Sequence, residues 1–260
     1  AVNYHTMSFP PPEGTVGDGD RYVNMNNFGA QVLAADDPPI KMMWIACRNP
    51  VAQDPEPNVV KKALEKMDLV VTCDLYMNQT VEYSDIVLPV TTPFETVGLN
   101  VSYWHYWMNV NEQAIKPLYE AKSDLEIAMG LSKRLNELEP GSCTFPTSGD
   151  LHEWVEKEFN DHLRDMFGVN SWEDLRKNGG TVKSKETITV AWEDLKFRTP
   201  SGKYEFYSEK AAEYGHHPLP VYVEKYEAPK EFPIRCMSPH WKLGIHSQFQ
   251  HTDWLMKISP

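Results

Sequence analysis

The sequence predicts an α/β fold: a doubly wound, mostly parallel sheet with flanking helices, followed by an extended, partial C-terminal region. Two observations carry this. From Ile40 onward, short apolar runs alternate with stretches of helical periodicity in the order β-α-β-α-β. The connections are short, which favours crossovers that return each strand parallel to the last. Prolines gather in the first 57 residues and again after Gly215, so the compact part lies between. The expected organisation is an extended lead-in over 1–39, an α/β domain over 40–215, and a linker with the start of a further domain over 216–260.

Taken in order, IKMMWIA is an apolar strand ended by the turn RNP. PEPNVVKKALEKM sets Val59, Val60, Ala63, Leu64 and Met67 on one helical face. DLVVTC is the second strand, TVEYS a short helical turn, and DIVLPV the third strand. The span from Ile40 to about Leu138 is expected to form the parallel sheet, with helices on both faces. Ser123-Asp-Leu-Glu126 is a capping box that opens a helix through LEIAMGLSKRL. A second helix is expected from Asp150 onward with the stripe Leu151, Trp154, Val155, Phe159, Leu163 and Met166. SWEDLRKN is a third, stopped at Gly179-Gly180, and FRTPSGKYEFYSE reads as a hairpin-like return turning at Ser201-Gly202.

A formal net charge of −12 excludes nucleic acid as a partner and argues against an anionic membrane surface. No apolar run reaches the roughly 20 residues that span a bilayer, so no direct membrane insertion is expected. The opening AVNYHTMSFPPPEG lacks the charged start and apolar core of a signal peptide. Cys47, Cys73, Cys143 and Cys236 are scattered without a C-x-x-C pair and read as reduced thiols. EGTVGDGD (Gly14, Gly17, Gly19) is not a dinucleotide fingerprint, because no strand precedes it and no helix follows. His216-His217 read as a loop, and the aromatics of YWHYW, with His105, as packing. No catalytic constellation and no metal-ligand spacing appear.

What remains is the pair of strand ends, CRNP (Cys47–Pro50) and Cys73-Asp74, because open α/β sheets bind ligands outside the carboxyl ends of their strands. A carboxylate at Asp74 can accept both the N1–H and the exocyclic amine of a guanine, and Thr80 can add a hydrogen bond. Helix capping is the alternative role for Asp74.

Several of these stretches resemble one family. DLYMNQTVEYSDIVLP is similar to the D-x-x-x-x-x-T-A-x-x-A-D-[IV]-V-L-P segment of molybdopterin oxidoreductases of the dimethyl-sulfoxide-reductase type. MWIACRNPVAQDP resembles their W-x-x-G-x-N-P turn, and NEQAIKPLYEAKSDLEIAMGLSKRL the piece that follows. FRTPSGKYEFYSE resembles F-x-T-P-S-G-K-x-E-[LF]-Y-S, and FPIRCMSPHWKLGIHSQF the start of their last domain. The resemblance implies the third domain of a catalytic subunit, which holds the guanosine half of one of two molybdopterin guanine dinucleotides carrying Mo or W. By position, Asp74 and Thr80 would read the guanine. Asn49, in the turn with Cys47 and Arg48, would lie under the ribose and phosphates, and His246, Ser247 and Gln248 would touch a pterin. This chain departs from the pattern at Cys47 and Arg48 where glycines are usual, at Val81 for Ala, at Leu99 and Ser102 in E-x-x-G-T-x-x-N (Glu95 and Gly98 are kept), and at Gly244 for Arg. Arg48 could ion-pair with the diphosphate in place of glycine's close approach.

The implied function is oxygen-atom or two-electron transfer on a small-molecule substrate by a longer catalytic subunit. An iron–sulfur electron-transfer subunit is the implied partner, and this piece alone is expected to be inactive. The alternatives are a non-redox, hydratase-like member, a cofactor-free structural relative such as the large subunit of respiratory complex I, and a free-standing guanine-nucleotide-binding module.

Overall fold

The computed structural model describes residues 23–101, 105–185, 190–222 and 230–258, apart from 235, 238 and 250. The glycines of EGTVGDGD lie outside the described residues. The parallel sheet forms where expected. Strand β1 (Met42–Ala46) pairs in parallel with β2 (Leu69–Asp74), and β2 with β3 (Ile86–Pro89), so the strands lie side by side in chain order. The central strand is the most buried, with Val70, Val71, Thr72 and Cys73 all inside. Asp85 fixes the register of β3: its carboxylate accepts from the Val70 amide at 2.7 Å, and its own amide donates to the Val70 carbonyl at 2.9 Å.

After β1 comes the single turn α2 (Pro50–Gln53), then α3 (Pro57–Glu65), each with proline in its first turn, where a missing N–H costs nothing. Val60, Ala63 and Leu64 of α3 are buried with Ile45 and Val70. The lead-in, expected to be extended, instead carries a helix, α1 (Phe28–Ala34). Phe28 and Val32 stand one turn apart and bury against the same cluster. The crossing is close because Gly29 faces α3: a Cβ there would sit 2.8 Å from the Val59 carbonyl carbon and the Val60 amide nitrogen.

Beyond β3 the parallel expectation fails. β4 (Gly98–Val101) and β5 (Trp107–Asn111) pair antiparallel, and β5 pairs antiparallel with β6 (Thr181–Lys183). The physical reason is the link between β4 and β5, residues 102–106, which is far too short for a parallel crossover. α4 (Asp124–Leu138) opens on the expected Ser123/Glu126 capping box. The single helix expected after Asp150 is two, α5 (Leu151–Lys157) and α6 (Asp161–Phe167), because Asn160 caps the second by accepting from the Leu163 amide. α7 (Trp172–Lys177) ends at Gly179 and Gly180, both left-handed, with φ of 91° and 73°. The second sheet and these helices enclose a separate core of Met108, Phe159, Phe167, Val169, Trp172 and Leu175.

Glu95 staples the loop after β3 to the 113–118 segment. Its carboxylate accepts from the Thr92 amide and hydroxyl, each at 2.8 Å, and from the Leu118 amide at 2.6 Å. The Thr92 amide, then the Leu118 amide, then the Thr92 hydroxyl hold its carboxyl below the usual glutamate range. The hairpin-like return is a turn without strands: the Phe197 amide donates to Gly202 (φ 68°), and Phe197, Tyr204 and Phe206 stack edge to face. Two short helices, α8 (Glu209–Glu213) and α9 (Asp253–Ile258), complete the described elements. No described helix is long and apolar enough to cross a membrane.

Two glycines separate contact from propensity. Gly29→Ala should destabilise the chain by about 1–3 kcal/mol, because backbone atoms of α3 cannot move aside. Gly130→Ala, in α4 with nothing within 4 Å of the new methyl, should instead stabilise by about 0.5–1 kcal/mol. Urea denaturation of the two variants checks both signs.

Candidate functional site at the strand ends

Strand β2 runs one residue beyond β1, since Ala46, the last of β1, is opposite Cys73 and β2 ends at Asp74. Beyond Ala46 the chain turns through Cys47, whose φ of 54° is left-handed and favours glycine, the residue usual at this place in the sequence pattern. It then enters α2 at Asn49-Pro50. Asn49 is buried and tied on both sides. Its Oδ1 accepts from the Thr80 hydroxyl at 2.6 Å, and its Nδ2 donates to Gln79 Oε1 at 3.4 Å. Thr80 Oγ1 also accepts from the Val51 amide at 3.1 Å.

Beyond Asp74 the chain makes an Asx turn. The Tyr76 amide donates to Asp74 Oδ1 at 3.0 Å, and Asn78 Nδ2 donates to Oδ2 at 2.7 Å. Asn78 Oδ1 in turn accepts from the amides of Thr80 (2.9 Å) and Val81 (3.2 Å). Asp74, Asn78, Thr80 and Asn49 thus form one continuous network that joins the turns after both strands.

On the other side of β1 a cleft of about 940 Å³ opens, lined by Cys47, Arg48, His246 and Gln248 together with apolar residues such as Phe28 and Met42. Arg48 Nη2 donates to both oxygens of Asp54, at 2.7 and 2.6 Å, and its guanidinium lies 5.4 Å from the Phe28 ring centroid. Ser247 Oγ accepts from Gln53 Nε2 at 3.1 Å, which docks the tail on α2. The two thiols at the strand ends are held protonated. Cys73 is pushed up to about 11 by burial first, then by Asp124, Cys47 and Asp74; Cys47 is raised by burial, Asp124 and Asp74. All described cysteines are free thiols.

The sequence-predicted residues therefore fall into three groups. Asp74 stands half-buried at a strand end, with one protein donor on each oxygen and lone pairs to spare. Cys47, Arg48, His246 and Gln248 share the cleft, and Ser247 anchors the same segment from outside it. Thr80 differs from expectation: it is fully buried and its only hydroxyl proton is on Asn49, so it builds the turn instead of facing a base. Asn49 is likewise turned inward, and Arg48 is already neutralised by Asp54. Sequence reasoning missed Asn78 and Asp54; the acid–amide–hydroxyl spacing Asp74, Asn78, Thr80 was the available signal for the first. Among the described residues His217 bonds locally with Leu219, as a loop residue does. Among the described residues no group of three or more His, Cys, Asp or Glu side chains is placed to hold a metal.

Residues 17–134 match the family model described as molybdopterin oxidoreductase. A probable oxidoreductase of Bacillus subtilis, YoaE, is 32% identical over 229 residues, which cover 85% of this chain and 32% of the relative. The dimethyl sulfoxide reductase DmsA of Escherichia coli is 28% identical, over 84% of this chain and 30% of its own. Among solved structures, acetylene hydratase from Pelobacter acetylenicus superposes with a TM-score of 0.55 at 26% identity, covering 78% of this chain and 26% of that one. The chain spans about a third of the length of these curated relatives.

The buried knot at Thr80 is testable by substitution. Thr80→Val leaves Asn49 Oδ1 and the Val51 amide unpaired and should destabilise the chain by about 1–3 kcal/mol. Thr80→Ser keeps the hydroxyl and should cost no more than the lost methyl, about 1 kcal/mol. Chemical denaturation should rank valine well below serine.

Proposed function

The chain belongs to the molybdopterin oxidoreductase family, and we propose that it supplies the guanosine-holding part of a molybdopterin guanine dinucleotide site in a longer catalytic subunit. The observation that carries this reading is Asp74: a half-buried carboxylate at the carboxyl end of a central parallel strand, with unused acceptor capacity. Its acceptor chemistry fits a guanine edge, whose N1–H and exocyclic amine need two acceptors side by side. When bound, the group supplies the redox chemistry at its metal, Mo or W, and the protein supplies binding and orientation.

The chain's own residues have distinct tasks in this reading. Asn78 holds the Asp74 carboxylate in place, so the acid needs no reorganisation to accept the base. Thr80 and Asn49 lock the two turns at one spacing. Arg48, with its charge balanced by Asp54, lends polar N–H groups to the cleft without adding a bare cation. Neutral thiols at Cys47 and Cys73 add no negative charge near phosphates. His246 and Gln248 line the cleft from the tail, where they would face a pterin, and Ser247 anchors that segment on Gln53.

In the full-length protein the proposed activity is oxygen-atom or two-electron transfer on a small substrate, with electrons passing through an iron–sulfur partner subunit. The likeness to acetylene hydratase favours a second reading, addition of water without net redox change, on the same cofactor. Oxidation of a reduced dye by sulfoxide in the purified full-length protein supports the first, and its absence in guanine-loaded protein the second.

Asp74 decides the cofactor reading. Asp74→Ala should lower guanine and molybdenum content, since it leaves guanine donors unpaired at roughly 1–3 kcal/mol. Asp74→Asn should hardly rescue, because its amide points a donor at guanine donors. Full occupancy in Asp74→Ala, with a lowered melting temperature that Asn restores, would leave Asp74 as a turn residue only.

A further inference from the structure

Tyr76 stands two residues beyond Asp74, and the Asx turn that seats its amide on Asp74 Oδ1 also fixes where its ring begins. The side chain belongs to neither hydrophobic core, and the residue is 52% exposed. Its ring is nonetheless held: it stacks on the His251 imidazole with centroids 5.8 Å apart and planes 21° from parallel. His251 sits at the far end of a tail segment whose near end, Ser247, is bonded to Gln53 after β1. Backbone hydrogen bonds hold the described parts of this tail. The Gln248 amide donates to Ile245, the Thr252 amide to Phe249, and His246 and Phe249 are left-handed, with φ of 52° and 70°. The segment therefore straps the turn after β1 to the turn after β2, across the place where open α/β sheets take their ligands.

We infer that Tyr76, backed by His251, is the stacking surface for the purine whose polar edge Asp74 reads. The inference rests on the guanine-site reading above and extends it to a division of labour. An aromatic face binds any base by its π-surface, so it contributes retention without selectivity. The carboxylate contributes selectivity, because adenine offers no N1–H. Both groups hang from one turn, since the Tyr76 amide is bonded to the acid, so the face and the edge readers are set relative to each other before any ligand arrives. His251 is a positioning residue: it covers one side of the Tyr76 ring.

The test uses the full-length protein purified with its cofactor, the readout being guanine per chain after acid hydrolysis and the rate of guanine release on warming. Tyr76→Ala and Tyr76→Leu should release guanine roughly 5- to 150-fold faster, the range of base–aromatic stacking. Tyr76→Phe should stay close to wild type. His251→Ala should release at an intermediate rate and His251→Phe should restore retention, while the melting temperature of the cofactor-free protein stays put in all five. Release from both Tyr76→Ala and Tyr76→Leu at the wild-type rate overturns the inference, as does a Tyr76→Phe variant as impaired as Tyr76→Ala. Wild-type protein with no guanine at all would instead overturn the underlying cofactor reading, and this one with it.

Discussion

The hydrogen bond from the Thr80 hydroxyl to the Asn49 amide oxygen, 2.6 Å long and wholly buried, is the constraint on which the rest of the site depends. Parallel strands end independently; nothing in the β1–β2 ladder dictates how the chain leaves either one. Here one hydroxyl donates to the turn after β1 and accepts from the first turn of α2, and the amide beside it is capped by Asn78. In a low-dielectric interior each of these groups is expensive to leave unpaired, so the two turns hold a single arrangement. Asp74, Tyr76, Cys47 and Arg48 inherit their places from it.

The electrostatics of the strand ends follow from the same packing. Asp74 and Asp124 lie near enough to Cys47 and Cys73 to raise both thiols, on top of burial. With both thiols raised, neither adds negative charge at the strand ends. Arg48 brings the opposing charge, but Asp54, its side chain only 3% exposed, has claimed it. A buried pair of this kind gives little net stability; its effect is to fix the guanidinium beside Phe28 and the cleft.

Much of the fold was legible because its signals are local. The three apolar runs, the periodicity of Val60, Ala63 and Leu64, and the capping box at Ser123 and Glu126 all read true. The antiparallel second sheet was not legible, because strand direction depends on loop length and pairing more than on composition. The break between α5 and α6 was masked by Phe159, which continues the apolar stripe while its neighbour Asn160 caps a new helix. At the site, residue types do not by themselves distinguish tasks. Thr80 and Asn49 look alike in sequence whether they face a ligand or each other. Only the fold shows that they face each other.

We propose the Thr80–Asn49 bond as a scaffold and Asp74 as the group that would read the base. A structure of the cofactor-loaded full-length protein tests it most directly, through two distances at the strand ends. Guanine N1 and its exocyclic amine should lie within hydrogen-bonding distance of the Asp74 carboxylate, with the Thr80–Asn49 bond unbroken. A base bonded to the Thr80 hydroxyl with Asn49 released, or a base seated away from Asp74, would contradict it.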